Sequence, residues 1–151
     1  MRKFLIGILC MGIAVCMIAC EKGAEEDDGN AGEDKQMRLY INESEVPVLW
    51  ENNASVSELM READRGDIVV SMSMYGGFEQ VGALGKKYSS QDKQAETHCG
   101  DIVLYNSSNL VVFYGSNSWS YTRLGSIDLS EAEIIELLCH KDVTARISVR
   151  R

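Results

Sequence analysis

The sequence predicts a mainly β domain, a barrel or strongly curved sheet whose ends two short helices cover. Three observations point there. Short apolar or alternating runs recur, among them "DIVVSMSM" at residues 67–74, "DIVLY" at 101–105 and "LVVFY" at 110–114. Polar stretches rich in Gly, Ser and Asn separate these runs, as turns require. Helical spacing is confined to two brief segments, each opened by Ser-x-x-Glu.

In chain order, residues 38–42 alternate as a strand does, and Asn42-Glu43-Ser44 is a turn. Residues 46–51, "VPVLWE", form a second strand, which Pro47 demotes to an edge or a strand start. Ser55-Val56-Ser57-Glu58 reads as a capping box for a helix to about Arg65. Leu59, Met60 and Ala63 form its apolar stripe, and Gly66 is placed to end it. Residues 67–74 begin as a buried strand and end as an alternating one. Four glycines follow within "YGGFEQVGALG", residues 75–85. No helix comes after them, so they serve turns and close strand approach rather than a phosphate cradle.

Residues 85–100 lack periodicity and read as a long loop. Residues 101–105 and 110–114 flank Asn106-Ser107-Ser108-Asn109, a hairpin with a four-residue loop. Residues 115–120 have turn composition and are expected as a rim loop, with Leu124 and Ile127 in the wall. Ser130-Glu131-Ala132-Glu133 is a second capping box, opening a helix through about His140. Residues 142–149 close the chain as a strand with Val143, Ala145, Ile147 and Val149 on one face.

The first 19 residues are expected to be a signal peptide. Arg2 and Lys3 precede an uncharged apolar run from Phe4 to Ile18, short for a membrane span. Met17-Ile18-Ala19-Cys20 resembles the bacterial lipoprotein signal, with Met17 where that motif usually has Leu. The resemblance implies a lipid-modified Cys20 and a protein of the bacterial cell envelope, extracytoplasmic and lipid-anchored to its membrane. Several acyl chains together give the stable hold that one alone does not. An ordinary secretory signal or an uncleaved anchor is the plainer alternative. Residues 20–36 then form the lipidated cysteine and an acidic tether. Seven acids, two lysines and three glycines, without an aromatic or β-branched side chain, cannot bury enough surface to fold.

Residues 37–151 are one domain's worth of chain, enough to bury a single core without disulfide help. Removing Arg2 and Lys3 from the 15 basic residues leaves 13 against 23 acids, a net charge of −10. That balance excludes nucleic acid as a partner. Cys99 and Cys139 are the domain's cysteines, each beside a histidine, His98 and His140. Two unrelated thiols, a disulfide and a metal or nucleophile site all stay open. Adjacent ligands in a strand face opposite ways, however, and metal-site spacing is missing. No cofactor is expected.

"MYGGFEQVG" at 74–82, "GDIVLY" at 100–105 and "VVFYGSNSWSYTRLGSI" at 111–127 together resemble the bacterial cyclophilin-like domain family. Its members are small, often secreted or lipid-anchored, and sometimes fused to flavodoxin-like domains. The likeness spans residues 38–149. It implies a closed, mainly antiparallel β-barrel of about eight strands capped by helices, but no activity, since a barrel does not fix a function. Family members tend to carry Pro where this chain has Cys99.

Catalysis finds little support. Proline isomerisation needs an arginine aimed at the proline-side nitrogen and an apolar pocket. True cyclophilins supply these from a Phe-His-Arg segment and a Phe-Met-x-Gln-Gly-Gly segment, both missing here. Phe78, Gln80 and Arg123 give a faint echo of them. A binding module is better supported. Trp119 and Tyr121 lie two apart and point the same way if extended. Both combine a flat apolar face with a polar edge. Each ring can equally plug the barrel. Asn117 and its serine neighbours offer hydrogen bonds, and Arg123 a fork of donors for a carboxylate or phosphate. The expected site is a barrel-mouth groove between Tyr75, Phe78, Glu79 and Gln80 on one side and Asn117, Trp119, Tyr121 and Arg123 on the other. Its ligand is an unknown small molecule or peptide, expected to be anionic or peptide-like with Arg123 as its charge partner. The alternatives are a weak peptidyl-prolyl isomerase or an accessory to a flavodoxin-like redox protein.

Overall fold

Residues 68–72 bury every second side chain, as one-sided strands do, whereas residues 101–105 and 109–113 are buried on both faces. The computed structural model describes residues 35–150. The expected signal peptide, Cys20 and nearly all of the tether lie outside them. Ten strands form: β1 (Gln36–Ile41), β2 (Ser44–Val46), β3 (Val48–Trp50), β4 (Ile68–Tyr75), β5 (Glu79–Ala83), β6 (Lys93–Thr97), β7 (Asp101–Tyr105), β8 (Asn109–Phe113), β9 (Asn117–Ile127) and β10 (Val143–Arg150). Helix α1 (Ala54–Ala63) follows β3, and α2 (Glu131–Leu138) follows β9.

The pairing order is β2-β1-β10-β4-β5-β8-β7-β9-β3, antiparallel throughout. Its two ends, β2 and β3, are one run of chain interrupted at Pro47. That run pairs with β1 through Ser44–Val46 and with β9 through Val48–Trp50. It is the stave that nearly closes the barrel. Pro47, which has no N–H to give, sits at the changeover, where its carbonyl accepts from Asp128 N at 2.9 Å. Trp50 adds a tie across the seam, its indole N–H donating to the Met37 carbonyl at 2.9 Å. Counting that run once gives eight staves, and β6 is a ninth strand that pairs with β9 outside the ring.

The interior is one apolar core, with Leu39, Ile41, Met72, Ile102, Leu104, Leu110, Leu124 and Ile147 almost wholly buried. Leu59 of α1 and Ile134 and Leu138 of α2 join it. Val143, Ala145 and Ile147 share the buried face of β10, as the alternation predicts.

Four local expectations are corrected. The cap of α1 is Asn53, whose side chain accepts from Val56 N. Ser55 is already helical and its hydroxyl donates to the Ser89 carbonyl. Residues 85–100 contain a strand, β6, which polar composition hid because it runs beside β9 with its side chains largely in water. The hairpin loop is shorter by one, since Asn109 already pairs with Tyr105; Asn106 and Ser107 take positive φ there. Residues 117–120 belong to β9 rather than to a rim loop. Strand pairing overrides their turn composition, and β6 supplies it. The capping box of α2 forms as read, with reciprocal bonds between Ser130 and Glu133.

Candidate functional site

The outward face of β5, β8, β7 and β9 is also apolar. Residues that alternate with the barrel-facing ones, Val103, Val111, Phe113 and Tyr121, form a second small core against Phe78, Val81 and Tyr105. A strand that is apolar on both faces must be covered on both. Here the outer covering is incomplete, and a groove of about 340 Å³ remains.

Its walls come from three places. The β4–β5 hairpin contributes Tyr75, Glu79 and Val81; Gly76 and Gly77 turn its tip with φ of +62° and +78°, and Tyr75 pairs directly with Glu79. The β7–β8 hairpin contributes Tyr105, Asn109 and Val111. The first half of β9 contributes Asn117, Trp119 and Tyr121, side by side on one face. The hairpin tip is fixed to β8, because the Phe78 carbonyl accepts from both Tyr114 N and Gly115 N at 2.9 and 3.0 Å.

Tyr121 is the shared wall. Its ring meets Phe113 edge-on at 5.7 Å and Tyr105 at 6.0 Å, and its hydroxyl accepts from the Asn117 amide at 2.9 Å. Trp119, two residues away, is 57% exposed, and Tyr75 opposite is 67% exposed. Of the two rings whose role the sequence left open, Tyr121 packs and Trp119 is presented.

Among the described residues, Glu79 is the one charged residue lining the groove. It is only 7% exposed, and its Oε2 has no hydrogen-bond partner among the described residues. Burial alone pushes its carboxyl up to about 7 from an ordinary 4.5. A carboxyl so placed is poised to change charge near neutral pH and to pair with whatever enters.

The other residues expected at the site lie elsewhere. Phe78 stacks on Phe113, with ring centroids 6.5 Å apart, as part of the outer core. Gln80 points into the barrel, where its amide donates to the carbonyls of Leu138 and Lys141 at 2.7 and 2.8 Å. Arg123 is held in a two-pronged pair with Asp101, at 2.8 and 3.0 Å, with Glu51 at 3.7 Å. That pair is the first cause of its raised pKa. Arg123 borders a second, larger groove of about 610 Å³ between β9, the start of α1 and residues 89–95. Many polar groups there already bond one another: Thr122 Oγ1 donates to Asp92, Gln91 N donates to Thr122 Oγ1, and Asn53 donates to the Arg123 carbonyl. The 340 Å³ groove is therefore the better ligand site despite its smaller size.

Val81, Tyr105, Asn109 and Val111 belong to the groove and escaped the sequence reading. The signal for Tyr105 and Val111 was the continuous apolar run of "DIVLY" and "LVVFY", which marks strands covered on both faces; Val81 and Asn109 carried none. Cys99 and Cys139 are free thiols, and burial pushes the Cys99 thiol up. Among the described residues no three His, Cys, Asp or Glu are placed to hold a metal.

No curated protein and no solved structure matches the chain. A family model described as the cyclophilin-like family matches residues 39–148, from β1 into β10. With that match over most of the chain, and a nearly closed antiparallel barrel with two helices beneath it, the chain belongs to the cyclophilin-like family.

Proposed function

We propose that this protein is a lipid-anchored lipoprotein of the bacterial cell envelope whose cyclophilin-like barrel is a binding module. The ligand, a small molecule or a peptide side chain, enters the outer groove between Tyr75 and Trp119 and reaches Glu79. One observation carries this reading: a buried carboxyl without a partner lies in a groove walled by aromatic rings. Groups of that kind cost folding energy unless something pairs with them, and binding clefts are where such costs are met. The isomerase alternative is weaker, because Phe78, Gln80 and Arg123 do not share a groove.

A thermal-shift screen of the full-length protein tests the reading. Ligands found should lose about tenfold in affinity on Trp119→Ala, as expected when one well-packed aromatic contact is removed. Hits that bind Trp119→Ala and Tyr75→Ala as well as the parent would place the site elsewhere.

A further inference from the structure

The identity of the ligand's head group can be taken further, given the groove reading above. We infer that the groove takes a methylated ammonium cation, with its charge against Glu79 and its methyl groups against the rings of Tyr75, Tyr105 and Trp119.

The charge follows from the lining. Among the described residues Glu79 is the only charged one there, and the chain as a whole carries −8. An anion would meet repulsion and find no cation in the groove. A neutral apolar group would leave the Glu79 carboxyl buried without a partner. Four aromatic rings, those of Tyr75, Tyr105, Trp119 and Tyr121, line a space that fits a head group of a few heavy atoms. Aromatic faces attract cations, and clustered aromatic rings are a common means of recognising quaternary ammonium. Tyr75 and Trp119 make no ring stack or side-chain hydrogen bond among the described residues, so their faces are free for it.

The methyl groups follow from the apolar and aromatic share of the lining. Asn117 uses its amide NH₂ on Tyr121 and its carbonyl on Ser118 N. The Asn109 amide NH₂ donates to the Tyr105 carbonyl. A primary ammonium carries three N–H donors, which the ring faces and the Val81 and Val111 side chains cannot accept. A trimethylammonium has none to satisfy, and its apolar shell matches Val81 and Val111.

The pH dependence separates this ligand from a carbonyl-bearing one. The titratable groups around Glu79 are tyrosines: Tyr75 from β4, Tyr105 from β7, Tyr114 after β8 and Tyr121 from β9. Burial pushes the hydroxyls of Tyr114 and Tyr121 up, away from neutral pH, and Glu79 sets the profile. A cation prefers the ionised carboxyl, and its affinity must rise with pH through about 7. A carbonyl would prefer the protonated carboxyl, and its affinity must fall.

Calorimetric titration of the full-length protein in maltoside micelles provides the test. The probes are choline and its neutral carbon isostere, 3,3-dimethylbutan-1-ol. Choline should bind about tenfold tighter at about pH 8 than at about pH 5, and the neutral isostere should bind weakly at both. Glu79→Gln should remove both the preference and the pH dependence. Equal binding of the two probes, an affinity that falls with pH, or no choline binding at millimolar concentration would overturn the cation inference. If the isostere binds and Trp119→Ala weakens it, the groove reading survives that loss. If neither probe binds and the hits of a broader screen ignore Trp119, both fall.

Discussion

Glu79 and Gln80 are neighbours in β5 and face opposite sides of the sheet. The Glu79 carboxyl lies in the outer groove without a partner, while the Gln80 amide reaches into the barrel and holds the carbonyls of Leu138 and Lys141. Two adjacent buried polar residues thus have separate tasks. Gln80 satisfies the end of α2, where helix carbonyls are left without intrahelical donors. Glu79 has no partner among the described residues and faces an open groove, a placement that suits a group kept for a ligand.

Replacing Glu79 by Gln should stabilise the protein at alkaline pH. Below about 4.5 the carboxyl is protonated in both folded and unfolded states and the substitution should be nearly neutral. Between 4.5 and about 7 the folded state binds the extra proton, so stability falls as pH rises. Above 7 the full cost of the buried charge, about 3 kcal/mol, is present and Gln removes it. Urea melts at about pH 4 and about pH 8 would show it; an equal effect at both pH values would contradict it.

Arg123→Ala should weaken the fold rather than ligand binding in the Glu79 groove. The change leaves the buried Asp101 carboxylate with the His98 N–H but without both prongs of its charge pair. Because Arg123 is partly exposed, the loss should be about 1–3 kcal/mol rather than that of a fully buried pair. Affinity for a groove ligand should stay within about threefold. A large affinity loss with an unchanged melting temperature would make Arg123 part of the site.

Gln80→Leu should loosen the end of α2. The two carbonyls it served become unsatisfied, at about 1–2 kcal/mol in stability. Hydrogen exchange of Cys139 N, which donates to the Ile135 carbonyl in the last turn, should speed up more than that of the barrel strands. Uniform acceleration across the sheet would show that Gln80 supports the barrel as a whole.

Under the lipoprotein proposal, Cys20→Ser should block processing or release the protein from the membrane fraction. Retention in the membrane with normal processing would rule the lipid anchor out.

The barrel was legible in the sequence because its strands alternate and its turns carry Gly, Asn and Ser where positive φ is needed, as at Gly76, Gly77 and Asn106. β6 was not legible, since its pairing partner is 20 or more residues away and its polar side chains look like those of a loop. The site was legible in part. Tyr75, Glu79, Asn117, Trp119 and Tyr121 meet in one groove, because β4–β5 and β9 flank the β7–β8 hairpin. Its place on the outer face was not, because that depends on which face of β5 turns inward. Gln80 and Arg123 drew attention by residue type alone. Strand parity sends the first into the barrel, and Asp101, close in space but distant in sequence, claims the second.

The most direct measurement is the titration of the Glu79 side-chain carboxyl by carbon-13 NMR, with and without choline. A midpoint near 7 that moves downward when choline is added is expected. A midpoint at the ordinary 4.5, unmoved by choline, would show a hydrated carboxyl in a groove that holds no cation.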